Sequence, residues 1–271
     1  MAQTLPEKFI RLKTIMDELR ERCPWDRKQT VESLRTLTIE ETYELADAIA
    51  GGDWAGIREE LGDLLLHIVF YARIGDEQGR FTLEEVIDGI YEKLVKRHPH
   101  IYGDVKVADD EEVKRNWEKL KLQEGKPSVL GGVPRSLPAL VKAVRLQEKS
   151  AQVGFEWEAA DQVLAKVREE EAELAEAVAA RAAADGPDAH RRVEEEFGDL
   201  LFSLVNYSRF LGVDPELALE RTNQRFADRF RRMESRAMGR GRPLSELTLS
   251  EMDAIWDEIK RESARMEGED G

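Results

Sequence analysis

The sequence predicts an all-α protein made of two copies of one helical-bundle domain. Three observations carry this. Nine prolines bound long stretches rich in Glu, Leu, Ala, Arg and Lys, all good helix formers. Apolar residues there, such as Leu34, Leu37, Tyr43 and Leu45, do not follow the strict alternation of a strand. Two acidic blocks of the first half also recur, in the same order, in the second.

The prolines set the elements in order. Helices are expected over 5–21, which starts at Pro6 and ends before Pro24, then over 30–50 and 54–77. The next, 82–97, ends before Pro99, and 109–123 completes the first half. In the second half they are expected over 136–150, 159–183, 188–211 (after Pro187), 215–237 (opening on Pro215) and 248–266 (after Pro243). No alternating strand and no Asn-Gly or Asp-Gly hairpin turn lies between apolar runs. The stretch EGKPSVLGGVPRSLP is the natural linker, with three glycines and three prolines. The expected organisation is a first domain over 1–125, a linker over 126–137 and a second domain over 138–271.

Composition narrows the function classes. The chain has 271 residues, 41% apolar and 36% charged, enough apolar material for a core. No run approaches the roughly 18 apolar residues of a membrane span. The start MAQTLPEKFIRLK lacks the apolar run of a signal peptide, so a cytoplasmic protein is expected, with no membrane partner. A lone cysteine, Cys23, excludes an internal disulfide framework and a cysteine-rich zinc site. It sits in CPWD and reads as packing or a helix terminator. The net charge of −15 argues against a nucleic-acid binder. An acidic protein that binds phosphates needs metal ions or a local basic cluster. Neither a Walker phosphate loop nor G-x-G-x-x-G is present.

The repeat is the strongest signal. Glu40-Glu41-Thr-Tyr-Glu44-Leu matches Glu169-Glu170-Glu-Ala-Glu173-Leu, an offset of 129. Glu59-Glu60-Leu-Gly62-Asp63-Leu-Leu matches Glu195-Glu196-Phe-Gly198-Asp199-Leu-Leu, an offset of 136. The second copy therefore carries seven extra residues between its blocks, where AARAAADGPDA lies. Lys93 and Arg97 match Arg225 and Arg229, and Trp117 and Lys121 match Trp256 and Lys260.

Glu41 and Glu44 share a helix face, as do Glu60 and Asp63 on the next helix. Antiparallel packing of the two helices would bring four carboxylates together. With 56 acidic residues, an acid-x-x-acid pair arises by chance about ten times, usually on a solvated face. Here the pairs recur in both halves, and each Gly-Asp leads directly into an apolar run. A glycine, which costs about 1 kcal/mol inside a helix, stands at the same place in both copies. Close helix packing and close ligand approach are both open explanations for Gly62 and Gly198.

Converging carboxylates need a cation. None of the four histidines has Glu three residues earlier, so the Glu-x-x-His di-iron pattern is absent. An all-oxygen set points to Mg²⁺ or Mn²⁺, and so to phosphoryl or nucleotidyl chemistry. Arg225 and Arg229 share a helix face, with Asn223 nearby where the first copy has Tyr91. They suit forked phosphate contacts, though a solvated basic face would look the same. Trp256 with Lys260 could stack on a base and hold a phosphate, or Trp256 could be core.

CPWDRKQT, EETYEL, EELGDLLLHIVF, KRHPHIYGD and WEKLK resemble the N-terminal half of the MazG family. PRSLPAL, VGFEW, EEFGDLLF, RFADRF and the Trp256 helix resemble its C-terminal half. The resemblance spans nearly the whole chain. It implies an all-α nucleoside triphosphate pyrophosphohydrolase, Mg²⁺-dependent and homodimeric, that converts NTP or dNTP to the monophosphate and pyrophosphate for nucleotide-pool housekeeping. Carried over, the metal ligands fall on Glu170, Glu173, Glu196 and Asp199, and in the first copy on Glu41, Glu44, Glu60 and Asp63. Nucleotide contacts fall on Arg225, Arg229, Trp256 and Lys260, with Lys166, Glu169, Arg192 and Glu195 nearby. Arg192 and Arg225 stand where the family often has Lys. The expected reaction is attack of water on the α-phosphorus, with Glu169 or Glu195 taking the proton. The resemblance favours the second copy as the general NTP site. The first is either a second active site or a dimer-building unit. The alternatives are a nucleotide-binding regulatory protein or helical scaffold without turnover, and a phosphohydrolase with other products.

Overall fold

The computed structural model describes residues 3–107, 109, 112–113, 116–117, 128–184 and 186–269, with side chains to 263. Every regular element among them is helical. The chain divides into two compact units, 1–124 and 125–271. Among the described residues no helix is long and apolar enough to cross a membrane.

In the first unit, α1 (Leu5–Arg22) carries Pro6 in its first turn and ends where Cys23 N–H reaches the Leu19 carbonyl. The single cysteine thus closes a helix. A short 3-10 turn, Asp26–Lys28, follows and is held by Arg20, whose Nη1 donates to the Asp26 and Gln29 carbonyls. The same guanidinium grips Glu77 at 3.0 Å. α2 (Val31–Gly51) opens on a reciprocal cap between Thr30 and Ser33 and stops at Gly52, which takes φ 67°. Asp53 then caps α3 (Trp54–Glu77) by accepting from Ala55 N–H. α4 (Leu83–Arg97) begins with a Thr82/Glu85 capping box, and the one-turn α5 (Pro99–Tyr102) follows. Met16, Leu34, Val69, Phe70, Ala72, Ile74 and Leu83 form the core. Gly75 is required there, because a Cβ would stand 2.7 Å from the Phe81 ring.

The second unit repeats the plan. α6 (Ala139–Ala151) packs on α8 (Pro187–Phe210), and α7 (Ala160–Ala183) forms a long hairpin with α8. α9 (Pro215–Gly239) is capped by Asp214 and pairs with α10 (Leu249–Glu269) across Met233, Ala237, Ile255 and Ile259. A 3-10 turn, Leu244–Glu246, precedes α10. Arg236 and Arg232 bind Glu262 from α9 at 2.8 and 3.1 Å.

The helices expected from sequence appear with ends shifted by up to three residues. The short helix at 99–102 was not expected. Most of the helix expected over 109–123, with Lys121, lies outside the described residues, as does the start of the expected linker. The seven extra residues of the second copy do not form a long loop. Glu41 lies 10 residues before the end of α2, and Glu170 lies 13 before the end of α7. Likewise Glu60 follows the start of α3 by six, and Glu196 follows that of α8 by nine. Each helix of the second hairpin is thus nearly one turn longer beyond its acids.

Candidate active site

Two helical hairpins each focus carboxylates. In the first unit, one oxygen from each of Glu41, Glu60 and Asp63 falls within 4.8 Å of the others, across α2 and α3. In the second, Glu170, Glu196 and Asp199 do the same across α7 and α8. The i, i+3 spacing sets one acid above the other on a helix face, and hairpin pairing brings the faces together. Glu44 and Glu173 stand one step outside these triplets. Their charges are nonetheless felt, because Glu44 repels both Glu41 and Glu60.

The electrostatics suit a cation. Burial, then repulsion from Asp63, Glu44 and Glu40, pushes the Glu41 carboxyl above the usual range. Glu60 is raised by burial and by Glu44, Glu41 and Asp63, and its Oε2 is buried with no hydrogen-bond partner. In the second unit Glu173 is raised by burial and by Glu170. A hard divalent ion would relieve all three, and an oxygen-only donor set fits Mg²⁺ or Mn²⁺.

The two clusters differ in their surroundings. Lys166 Nζ lies 2.7 Å from Glu169 and 2.8 Å from the buried Glu170, and these bonds hold its ammonium firmly protonated. Arg192 reaches Glu196 at 3.7 Å. Glu195 is exposed and faces Arg191 at 3.7 Å. Against this cluster opens a cavity of about 630 Å³, with Lys166, Glu170 and Asp199 on its wall. Gln147, Phe155, Trp157, Ser203 and Asn206 also line it. Sequence reasoning did not single these out, although VGFEW contains two of them.

The other expected contacts of the second unit lie on α9 and α10. Arg225 is exposed and bonds Thr222 at 2.8 Å, and Asn223 bonds Glu220 at 3.4 Å. Arg229 is half-buried on the same helix, and Lys260 is exposed on α10. Trp256 packs beside Phe226 at 5.3 Å between ring centroids, against the α9–α10 core. None of these cations bonds the four acids among the described residues. In the first unit Arg97 lies over the Trp117 ring at 5.5 Å, and Lys93 is exposed. At Gly62 and Gly198 a Cβ would meet nothing within 4 Å, so close helix packing inside the unit is not what these glycines serve.

Comparison with known proteins adds to this geometry. The family model described as "MazG nucleotide pyrophosphohydrolase domain" matches twice, over residues 29–102 and 158–235. A nucleoside triphosphate pyrophosphohydrolase of Escherichia coli (strain K12) is 41% identical over 259 residues, covering 93% of this chain and 97% of that protein. The nucleoside triphosphate pyrophosphohydrolase/pyrophosphatase MazG of Thermotoga maritima is 45% identical over 257 residues, covering 93% and 95%. The uncharacterized protein YabN of Bacillus subtilis is 44% identical over 266 residues, covering 96% of this chain and 53% of its own. Both matched segments contain an acid cluster: the chain belongs to the MazG nucleotide pyrophosphohydrolase family, and it carries the family's domain twice.

Proposed function

We propose that the chain hydrolyses nucleoside triphosphates between the α- and β-phosphorus, releasing the monophosphate and pyrophosphate, with the second unit as the main site. One observation carries the choice of unit. An acid cluster there, with Glu170 buried at its centre, is flanked by a firmly protonated lysine and opens onto a cavity of about 630 Å³. The names of the Escherichia coli and Thermotoga maritima relatives support the substrate class.

Glu170, Glu173, Glu196 and Asp199 hold Mg²⁺, with Mn²⁺ as a substitute. A bound divalent ion shields the triphosphate charge and stabilises the charge that develops on the leaving pyrophosphate. Lys166 and Arg192, already paired with these acids, add fixed positive charge beside it. Arg225, Arg229 and Lys260 contact the phosphates, Asn223 supports them, and Trp256 borders the nucleotide. Glu169 or Glu195, each next to a ligand in sequence, accepts the proton from the attacking water. In the first unit Glu41, Glu44, Glu60 and Asp63 hold a second ion. Lys93, Arg97, Trp117 and Lys121 are its counterparts of the basic and aromatic set.

The chain acts as a homodimer. Phe197, Leu201 and Leu204 on α8 are each more than two-fifths exposed, which supports a second copy covering them. Its place is the cytoplasm, clearing unwanted nucleotides from the pool. The test is product analysis on each NTP and dNTP, with and without Mg²⁺. Monophosphate plus pyrophosphate only with metal is the expected result. Release of inorganic phosphate would make it a different phosphohydrolase, and no turnover would make it a binding protein.

A further inference from the structure

We propose that Arg209 is a positioning residue for the reaction: through Glu156 it clamps the segment 152–159 as a fixed wall of the cavity, and this clamp sets the affinity for substrate and leaves the chemical step alone. This rests on the functional reading above and adds a residue to it that touches neither the acids nor the reacting phosphorus.

The segment joins α6 to α7 and brings two aromatic side chains, Phe155 and Trp157, to the cavity. Neither is core, for Phe155 is 82% exposed and Trp157 44%. Gly154 turns the chain at φ 87°, a backbone angle that favours glycine. Near its start, Gly154 N–H donates to the Ala151 carbonyl at 2.9 Å and Phe155 N–H to that of Ser150 at 3.0 Å. Near its end, Glu158 N–H donates to Gln162 Oε1 at 3.0 Å. Its middle is tied to α8 by Arg209, whose Nη2 donates to Glu156 Oε2 at 2.7 Å. Nη1 of the same guanidinium donates to Asn206 Oδ1 at 2.8 Å. The planar fork is thus held from two directions, which fixes where Glu156 must sit. The two side chains of the ion pair are 17% and 26% exposed, so water screens it less than a pair on the open surface.

The first copy has an arginine at the same point and uses it differently. At the offset of 136, Arg73 matches Arg209. Arg73 reaches Asp17 and Glu77, each at 3.4 Å, which ties α3 to α1 and to its own last turn. The connecting segment 23–30 is held by Arg20 instead, through the backbone carbonyls of Asp26 and Gln29, and it contains a 3-10 turn. Both connections are eight residues long, so length does not explain the difference. Backbone bonds within a helical turn resist opening one by one. A side-chain tie across the middle of a loop holds or releases that loop as a unit. In the second copy this tie sits beside the cavity, and Phe155, Glu156, Trp157, Asn206 and Arg209 all line it. The clamped wall borders the cavity and the acids lie on α7 and α8, so the clamp acts on parts of the substrate remote from the reacting phosphorus. Such contacts are made equally before and during reaction, and their loss raises KM and spares kcat.

The experiment uses the full chain with Mg²⁺ and compares Glu156→Gln, Arg209→Gln, the double variant and Arg73→Gln. Glu156→Gln keeps the shape of a loop side chain, so it tests the clamp even if Arg209→Gln does not fold. Steady-state kinetics are read with nucleoside triphosphates. Glu156→Gln and Arg209→Gln are expected to raise KM by about tenfold, with kcat within about twofold. The double variant should be no worse than Arg209→Gln alone, because both changes break one tie. Arg73→Gln should lower Tm and leave KM within about twofold. Limited digestion with chymotrypsin, which cuts after aromatic residues, reads the loop without any substrate. Cleavage after Phe155 or Trp157 should be about tenfold faster in Glu156→Gln than in the wild type, since the loop must open to be cut. Unchanged KM in a folded Glu156→Gln chain would overturn the proposal. So would a loss of kcat at constant KM, multiplied effects in the double variant, or a rise in KM with Arg73→Gln as large as with Glu156→Gln. Equal cleavage rates would overturn the clamp on their own. A wild type that turns over no nucleoside triphosphate would overturn the functional reading, and the digestion would still decide the clamp.

Discussion

Lys166 Nζ lies 2.8 Å from the carboxylate of Glu170, the most buried acid of either cluster. At the matching position the first copy has Leu37, and Glu41 has no ion-pair partner among the described residues. One cluster is thus partly neutralised by the protein itself and the other is not. Lys166→Met is expected to raise KM for NTP by about tenfold, because a charge-assisted contact to phosphate is lost. Metal binding should persist in this variant, since a competitor for Glu170 has gone. Metal titration alongside kinetics checks both halves of the expectation.

The first cluster stores repulsion. Glu41 and Glu60 are raised above their ordinary range, so the folded chain binds protons more readily than the unfolded one. The sign follows: without metal, stability falls as pH rises through the range above the ordinary carboxylate value. Glu60→Gln is expected to raise the metal-free Tm by a few degrees at pH 8 and to reduce the rise in Tm that Mg²⁺ gives. Thermal melts with EDTA and with Mg²⁺ measure both.

The α10 start behaves oppositely. Glu251 accepts from Thr248 N–H at 2.7 Å, from the Thr248 hydroxyl at 2.9 Å, and from Arg242 at 2.7 Å. The backbone bond, followed by Arg242, holds its carboxyl at about 2. A depressed folded value gives stability that is present above the unfolded value near 4.5 and is lost as pH falls toward about 2. Glu251→Gln should flatten the acid limb of the melting profile over that range.

Glycines separate packing from propensity. Gly75→Ala puts a Cβ 2.7 Å from Phe81 and is expected to cost about 1–3 kcal/mol. At Gly62 and Gly198 there is open space, so alanine should stabilise each helix by up to about 1 kcal/mol. Loss of activity in a stabilised Gly198→Ala chain would then mark close approach of the nucleotide or of a second copy. Chemical denaturation and turnover measured on the same samples distinguish these.

The legible part of the fold follows from local physics. Prolines, helix-forming composition and caps act over a few residues, so most helix ends fell within a turn of expectation. The acids at 41, 60 and 63 were readable because i, i+3 spacing and hairpin pairing suffice to bring them together. The stretch AARAAADGPDA was legible too, because alanines extend a helix and Asp-Gly-Pro breaks it: α7 ends at Ala183 and α8 begins at Pro187, within a residue of expectation. The cavity was not legible. Gln147, Phe155 and Asn206 come from different elements, and only tertiary packing brings them to one wall. The match of Arg73 with Arg209 was visible in the repeat, but the different partners they hold show only in the fold.

The most direct test of the account is product analysis on the wild type beside Glu41→Ala, Glu170→Ala and Asp199→Ala. Monophosphate and pyrophosphate should appear only with Mg²⁺. Glu170→Ala and Asp199→Ala should lose about a hundredfold or more of turnover, and Glu41→Ala should keep most of it. Unchanged turnover in Asp199→Ala, or loss confined to Glu41→Ala, would contradict the assignment of the reaction to the second unit.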